Sequence, residues 1–301
     1  MPLKNFICPD GETIPIIECL TPNGCRMDTR CASMRTLQKA GHDRRWRLSP
    51  SCAGNGPRLE YLKATVDYAA TVESRVFAIL GTGSHAELHK WDDNVLSETK
   101  LKDKDMEGTS DALESAEDAP GYLLIDAKTW GSYKVSKALG VVQVEETILG
   151  EDKKPILFKT GKRAGQPKTK KVSVIDPTKI DMRDTELQLN RYRIFWEQMG
   201  YPIHKMLVEA IVRDGGTAAA YSRKIDKRIY LIPVKRLEND EVLEYYRDLN
   251  QEIMDAFKTG YARKCDMWES WDRRRCENFC NVRTACKEMS TKAGEKWINL
   301  I

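Results

Sequence analysis

Tyr122-Leu123-Leu124-Ile125-Asp126-Ala127-Lys128-Thr129 opens on a short apolar run and changes character at Asp126. Such a run suits a strand buried in the middle of a sheet. Side chains two apart on a strand share a face, so Asp126 and Lys128 point the same way at its end. Upstream, Val95 to Leu101 alternates as a strand, and Met106 to Leu113 is a further strand candidate containing Gly108 and Asp111. Asp111 can then reach the same edge as Asp126. Two carboxylates held close oppose each other's ionisation unless a cation sits between them. A hard divalent ion, Mg²⁺ or Mn²⁺, takes oxygen ligands of this kind. It polarises a phosphodiester and lowers the pKa of a bound water. A neighbouring lysine orients that water or stabilises charge building on phosphate. A lone Asp-x-Lys is more often a surface ion pair, so the rest of the chain has to decide.

Working outward, residues 57–90 read as helical, broken at Gly81-Thr82-Gly83 and followed by His85. Residues 140–176 read as a hairpin whose tip, Lys159 to Lys171, is rich in Gly, Lys and Pro. Leu187, Tyr192, Phe195, Trp196 and Met199 recur at helical spacing over 181–199, and Tyr201-Pro202 ends that helix. Lys205 to Val212 and Ile229 to Val234 alternate as strands, Glu238 to Lys258 is a long helix, and a Cys-rich tail closes the chain. This order predicts an α/β or α+β domain with a mixed central sheet.

The 301 residues are 41% hydrophobic and 31% charged, an ordinary globular balance, and no apolar run is long enough to span a bilayer. The start, MPLKNFICPDG, lacks the apolar stretch of a secretory signal, which predicts a cytoplasmic protein, or one of the host cytoplasm if the chain is viral. Nine cysteines in such a chain favour metal ligation over disulfides. Cys8, Cys19, Cys25 and Cys31 fall among turn signals in a segment with little apolar periodicity. Residues 1–48 therefore read as a small Cys-rich module and 49–301 as the main domain. Four thiolates on zinc would stabilise that module; buried free thiols are the alternative, because the spacings are wider than those of common zinc ribbons. Cys52 stands far upstream of the cluster Cys276-x3-Cys280-x5-Cys286. Cysteines drawn from both ends of a domain can close around a metal cluster, and this pairing would close a loop of over two hundred residues.

Taken in order, several of these pieces resemble the RecB-like branch of the PD-(D/E)xK nuclease superfamily. Gly81-Thr82-Gly83-Ser84-His85 resembles its Gly-x-x-x-His helix. Ser97-Glu98 and then Gly108-Thr109-Ser110-Asp111 resemble its first acidic motif, and Tyr122 to Lys128 its Asp-x-Lys strand. Gln188-Leu189-Asn190-Arg191-Tyr192 matches its Gln-x-x-x-Tyr helix. The resemblance covers roughly residues 50–290 and implies a restriction-endonuclease-like core, a mixed sheet flanked by helices. It implies that His85, Asp111, Asp126 and the Ala127 carbonyl hold Mg²⁺ or Mn²⁺. It implies that Lys128 positions the attacking water, and that Gln188 and Tyr192 hold DNA near the scissile phosphate. Cys52, Cys276, Cys280 and Cys286 resemble the [4Fe–4S] staple of the subset that includes CRISPR-adaptation nucleases and the AddB nuclease domain, with zinc as the alternative for the same ligands. The three-residue gap between Cys276 and Cys280 departs from the usual two. Cys265 is left unassigned, either a buried free thiol or a substitute for Cys276.

The implied activity is a metal-dependent deoxyribonuclease, an exonuclease before an endonuclease. It would serve DNA repair, recombination, phage DNA processing or spacer capture, alone or with a recombination or repair partner. No Gly-x-x-x-x-Gly-Lys-Ser/Thr run accompanies it. The competing reading is a non-catalytic DNA-binding or cluster-sensing module. From Glu151 to Lys171 there are eight basic and two acidic residues, a net of +6, so Lys168, Lys170 and Lys171 are the leading phosphate contacts. Arg191, Arg193 and Lys134 lie near the motifs and could add charge; Trp130 and Tyr133 could stack on unpaired bases.

Overall fold

The computed structural model describes residues 3–8, 10–19, 21, 46–72, 74, 76, 80, 81, 83, 95–117 and 119–295. The chain forms two compact units. The first comprises Met1–Asp126, Arg183–Met206 and Val234–Ile301; the second comprises Ala127–Met182 and Leu207–Pro233. Both mix strands and helices, and the protein is α+β, with mixed sheets flanked by helices.

In the first unit, β1 (Leu3–Ile7) pairs antiparallel with β2 (Thr13–Pro15), which runs into a helical turn, α1 (Ile16–Cys19). After α2 (Pro57–Thr65) comes β3 (Tyr68–Thr71), which pairs in parallel with β1. The helix expected over 57–90 is thus interrupted by a strand. Ala70 of β3 joins Leu3, Phe6, Ile14, Ile16 and Cys19 in one buried cluster. Cys8 packs against that cluster; Cys25 and Cys31 lie outside the described residues.

The larger sheet of this unit carries β4 (Leu96–Lys102), β5 (Glu107–Ser115) and the start of β6 (Tyr122–Trp130), each antiparallel to the next. Leu113 sits across from Leu124, both almost fully buried. Burying each contributes roughly 1.5–3 kcal/mol and fixes the register, since a one-residue slip would turn every side chain to the other face. Helix α4 (Arg183–Gln198) is buried nearly all round through Leu187, Leu189, Ile194, Phe195 and Trp196, and Trp196 Nε1 donates to Ser110 Oγ at 3.1 Å. Helix α6 (Asn239–Thr259) buries a single stripe, Val242, Tyr246, Leu249, Ile253 and Ala256. It ends at Gly260, whose φ of 74° is the left-handed cap that glycine adopts without strain. Two short helices, α7 (Arg274–Asn278) and α8 (Arg283–Lys292), carry Cys276 and Cys286, with Cys280 between them.

In the second unit β6 continues, followed by α3 (Ser132–Ala138) and the hairpin β7 (Val141–Thr147) and β8 (Thr169–Ile175). The unit also holds most of β9 (Ile203–Val212), α5 (Ala218–Ser222) and β10 (Ile229–Pro233), with β10 antiparallel to β9. Asp214 caps α3, accepting Ser132 N–H and Ser132 Oγ–H at 2.6 Å each. Among the described residues, no helix is long and apolar enough to cross a membrane.

Candidate active site

Both central carboxylates are buried. The register of β5 and β6 runs from Ser115 opposite Tyr122 to Ala112 opposite Ile125. The next step along the two strands carries Asp111 and Asp126, which are 8% and 3% exposed. Facing positions on antiparallel strands hold side chains about 5 Å apart. On the other side of Asp111, the β4 register brings Glu98 to the facing position. Glu98 has a φ of 47°, left-handed backbone that is uncommon for a glutamate, and its side chain is exposed.

Gln188 and Tyr192 lie four apart on α4 and so share a helix face. Gln188 Nε2 donates to Asp126 Oδ1 at 3.3 Å. The Tyr192 phenol is buried and pushed well above its ordinary range, first by burial and then by the charges of Asp126 and Asp111; a hydrogen bond with Ser49 works the other way. That hydroxyl therefore stays protonated beside both carboxylates. The close fit extends to Gly108, where a Cβ would lie 2.7 Å from Tyr192 Oη and 2.8 Å from Pro50 Cδ. Gly108→Ala should accordingly cost about 1–3 kcal/mol through overpacking. Thermal melts should show part of that loss recovered when Tyr192→Phe removes the hydroxyl from the same chain. Additive losses would show that the contact with Tyr192 is not the cause.

The helix is held in place by residues that sequence reading assigned elsewhere. Arg191 is buried, pairs with Asp103 in the turn between β4 and β5, and stacks 3.8 Å over the Phe195 ring. Arg193 is buried too, donating to Glu197, Asn190, the Leu237 carbonyl and Asn239. Both guanidiniums therefore anchor α4 internally and are not exposed to meet phosphate. Also unanticipated is the turn Ser49–Cys52. Leu48 O accepts from Glu107 N–H at 3.0 Å and Pro50 O accepts from Tyr246 Oη at 2.8 Å, so this turn is fastened to β5 and to α6.

Lys128 lies two residues beyond Asp126 on β6, half-buried, in the second unit, and Ala127 beside it is buried. His85 lies outside the described residues. In the basic hairpin, Lys170 pairs with Glu146 at 3.2 Å, Lys171 faces Glu145 across the ladder, and Lys168 sits 5.7 Å over Phe158. The positive charge of this hairpin is thus partly neutralised at its base. Trp130 is covered by Lys134 at 5.5 Å, and Tyr133 by Arg223 at 5.9 Å.

Several cysteines gather around helix α2 of the first unit. Cys265, Cys280 and Cys286 pack on one apolar cluster, Leu59 and Leu62 of α2 with Val282. Cys276 joins them electrostatically, within range of Cys265, Cys280 and Cys286. Burial, ahead of neighbouring charges, pushes the thiols of Cys276 and Cys280 up and that of Cys265 up to about 12. Cys52 is buried and is not part of that apolar cluster; burial and then Glu60 push its thiol up to about 12.

Among the described residues, no three His, Cys, Asp or Glu side chains converge as a closed ligand shell for a single metal ion. What Asp111 and Asp126 offer is two hard oxygen donors at facing positions, a chemistry that fits Mg²⁺ or Mn²⁺ when further oxygens come from backbone or water. No protein-family description and no curated protein matches the chain. A solved structure titled "Crystal structure of SSO0001" is similar at a TM-score of 0.40 and 13% identity, over 84% of this chain and 92% of that one.

Proposed function

We propose that this protein is a metal-dependent deoxyribonuclease of the RecB-like PD-(D/E)xK type, acting as an exonuclease. The observation that carries the reading is the buried pair Asp111 and Asp126 at facing strand positions, with Gln188 bonded to Asp126 and Tyr192 beside both. Two adjacent carboxylates repel unless a cation or proton intervenes, and a bound cation is what this buried pair would accommodate. Asp111, Asp126 and the Ala127 carbonyl would hold the ion, with His85 as a further ligand; Mg²⁺ or Mn²⁺ there supplies an activated water and a Lewis acid for the phosphodiester. Gln188 fixes the orientation of the Asp126 carboxylate. Tyr192, held protonated, offers a hydrogen-bond donor to the DNA strand. Lys128 steers the water and counters charge on the phosphate. The [4Fe–4S] cluster on C-terminal cysteines belongs to the same reading, as does DNA as partner, with Lys168 and the tip lysines Lys159 and Lys162 tracking its backbone.

The test is cleavage of end-labelled linear and closed circular DNA, single- and double-stranded, with Mg²⁺ or Mn²⁺, using anaerobically purified protein. Degradation confined to linear substrates is expected. Cutting of circles would make the enzyme an endonuclease, and DNA binding without any cleavage would favour the non-catalytic module.

A further inference from the structure

We infer that the fourth thiolate of the iron–sulfur site is Cys265, and that Cys52 is not a ligand. The inference rests on the presence of the cluster named above and is independent of the nuclease chemistry. Three of the four sulfurs, those of Cys265, Cys280 and Cys286, share one apolar floor formed by Leu59, Leu62 and Val282. The fourth, on Cys276 in α7, lies within electrostatic range of all three. Cys265 reaches the group through a gap that a side chain at position 56 would fill: a Cβ on Gly56 would lie 2.7 Å from Cys265 Sγ and 2.5 Å from Glu269 Oε2. The absence of a side chain at Gly56 is what lets the Cys265 sulfur turn toward α2.

Two guanidiniums border the group. Arg58 Nη1 lies 3.9 Å from Cys286 Sγ, and Arg275 is within the electrostatic reach of Cys265 and Cys280. Glu269 beside Cys265 is already tied by Arg263, at 2.8 and 2.9 Å, and by the Asp266 N–H at 2.8 Å. It is therefore committed elsewhere and does not compete for metal. A single ion needs its four sulfurs at about 2.3 Å, a tighter convergence than these residues show. A four-iron cluster puts one iron at each thiolate and accepts wider spacing. Cys52 is not packed on that apolar floor; the charged groups that act on it most are Glu60 and Lys63.

The experiment compares wild type, Cys52→Ser, Cys265→Ser and Cys286→Ser, purified anaerobically and reconstituted with ferrous iron and sulfide. Iron and acid-labile sulfide per chain are measured, with the electron paramagnetic resonance spectrum after reduction and circular dichroism as a check on folding. Wild type and Cys52→Ser should carry equal iron and give the same spectrum. Cys265→Ser should lose the cluster or convert it to a three-iron form, as Cys286→Ser does. A full cluster in Cys265→Ser, or its loss from a folded Cys52→Ser, overturns the assignment while leaving the cluster itself standing. Wild type that takes up zinc and no iron overturns both. Should Cys265→Ser fail to fold, Cys52→Ser alone still decides, since full iron is required there.

Discussion

Asp126→Asn is expected to abolish metal-dependent DNA cleavage while leaving the protein as stable as wild type or slightly more so. Asparagine keeps the shape of the side chain and an oxygen that can accept from Gln188 Nε2. It removes one of two negative charges at facing positions on β5 and β6, and like charges opposite one another are destabilising. The apo melting temperature should therefore hold or rise. Cleavage should fall by about 10³-fold, because a bound ion stabilises transition-state charge by several kcal/mol. Mg²⁺ titration gives an independent reading: it should raise the melting temperature of wild type by mass action and leave that of the variant unmoved. A variant that cuts at the wild-type rate would remove the pair from the chemistry. Lys128→Ala should lose cleavage while keeping the metal-dependent stabilisation, since it steers water and binds no ion.

Arg58→Ala should produce the largest loss of stability. The guanidinium is 1% exposed, in α2, and it gathers distant parts of the chain. Its Nε donates to the Ala262 carbonyl at 2.7 Å, Nη1 to Ser290 Oγ at 2.8 Å and Nη2 to Glu295 Oε1 at 2.9 Å. Removing one partner of a buried pair costs roughly 3–5 kcal/mol, a melting-temperature drop on the order of 10 °C. The effect should depend on pH in a definite direction. Burial pushes the Glu295 carboxyl up, but bonds from Arg58, Tyr261, Ser290 and Lys264 outweigh it and bring it down to about 2 from an ordinary 4.5. A carboxyl lowered on folding adds stability above its unfolded pKa and loses it as pH falls through the folded one. Wild type and variant should thus differ most above pH 4.5 and converge towards pH 2. A gap unchanged at pH 3 would show that lost packing, not the ion pair, sets the cost.

Much of this arrangement was legible along the chain. The first half of β6 showed as an unbroken apolar run leading into Asp126, and α4 as a helical repeat of large apolar residues, because both signals are local. What escaped depends on partners far away. Tyr68 to Thr71 is too short to announce a strand and becomes one by pairing with β1, some sixty residues upstream. The start of α3 is capped by Asp214, eighty-two residues on. Arg191 and Arg193 suggested surface charge, and only the folded chain shows Asp103 and Glu197 waiting for them. Glycine at 56 gave no hint that a distant sulfur would occupy its missing side chain's space. Thiol spacing alone left Cys265 unassigned, as a free thiol or a substitute for Cys276.

The grouping of Cys265 with Cys276, Cys280 and Cys286 changes what oxidation of a cluster would do to the polymer. If the proposed ligand set holds the cluster, ligands confined to 265–286 would tie off a ring of about twenty residues, where Cys52 would tie off more than two hundred. Chain-closure entropy grows with the logarithm of ring size, so the smaller ring restrains the unfolded chain less, by about 2 kcal/mol. Oxidative loss of the cluster would then fray the C-terminal segment first. The sheet bearing Asp111 and Asp126, held by its own leucines, would outlast it.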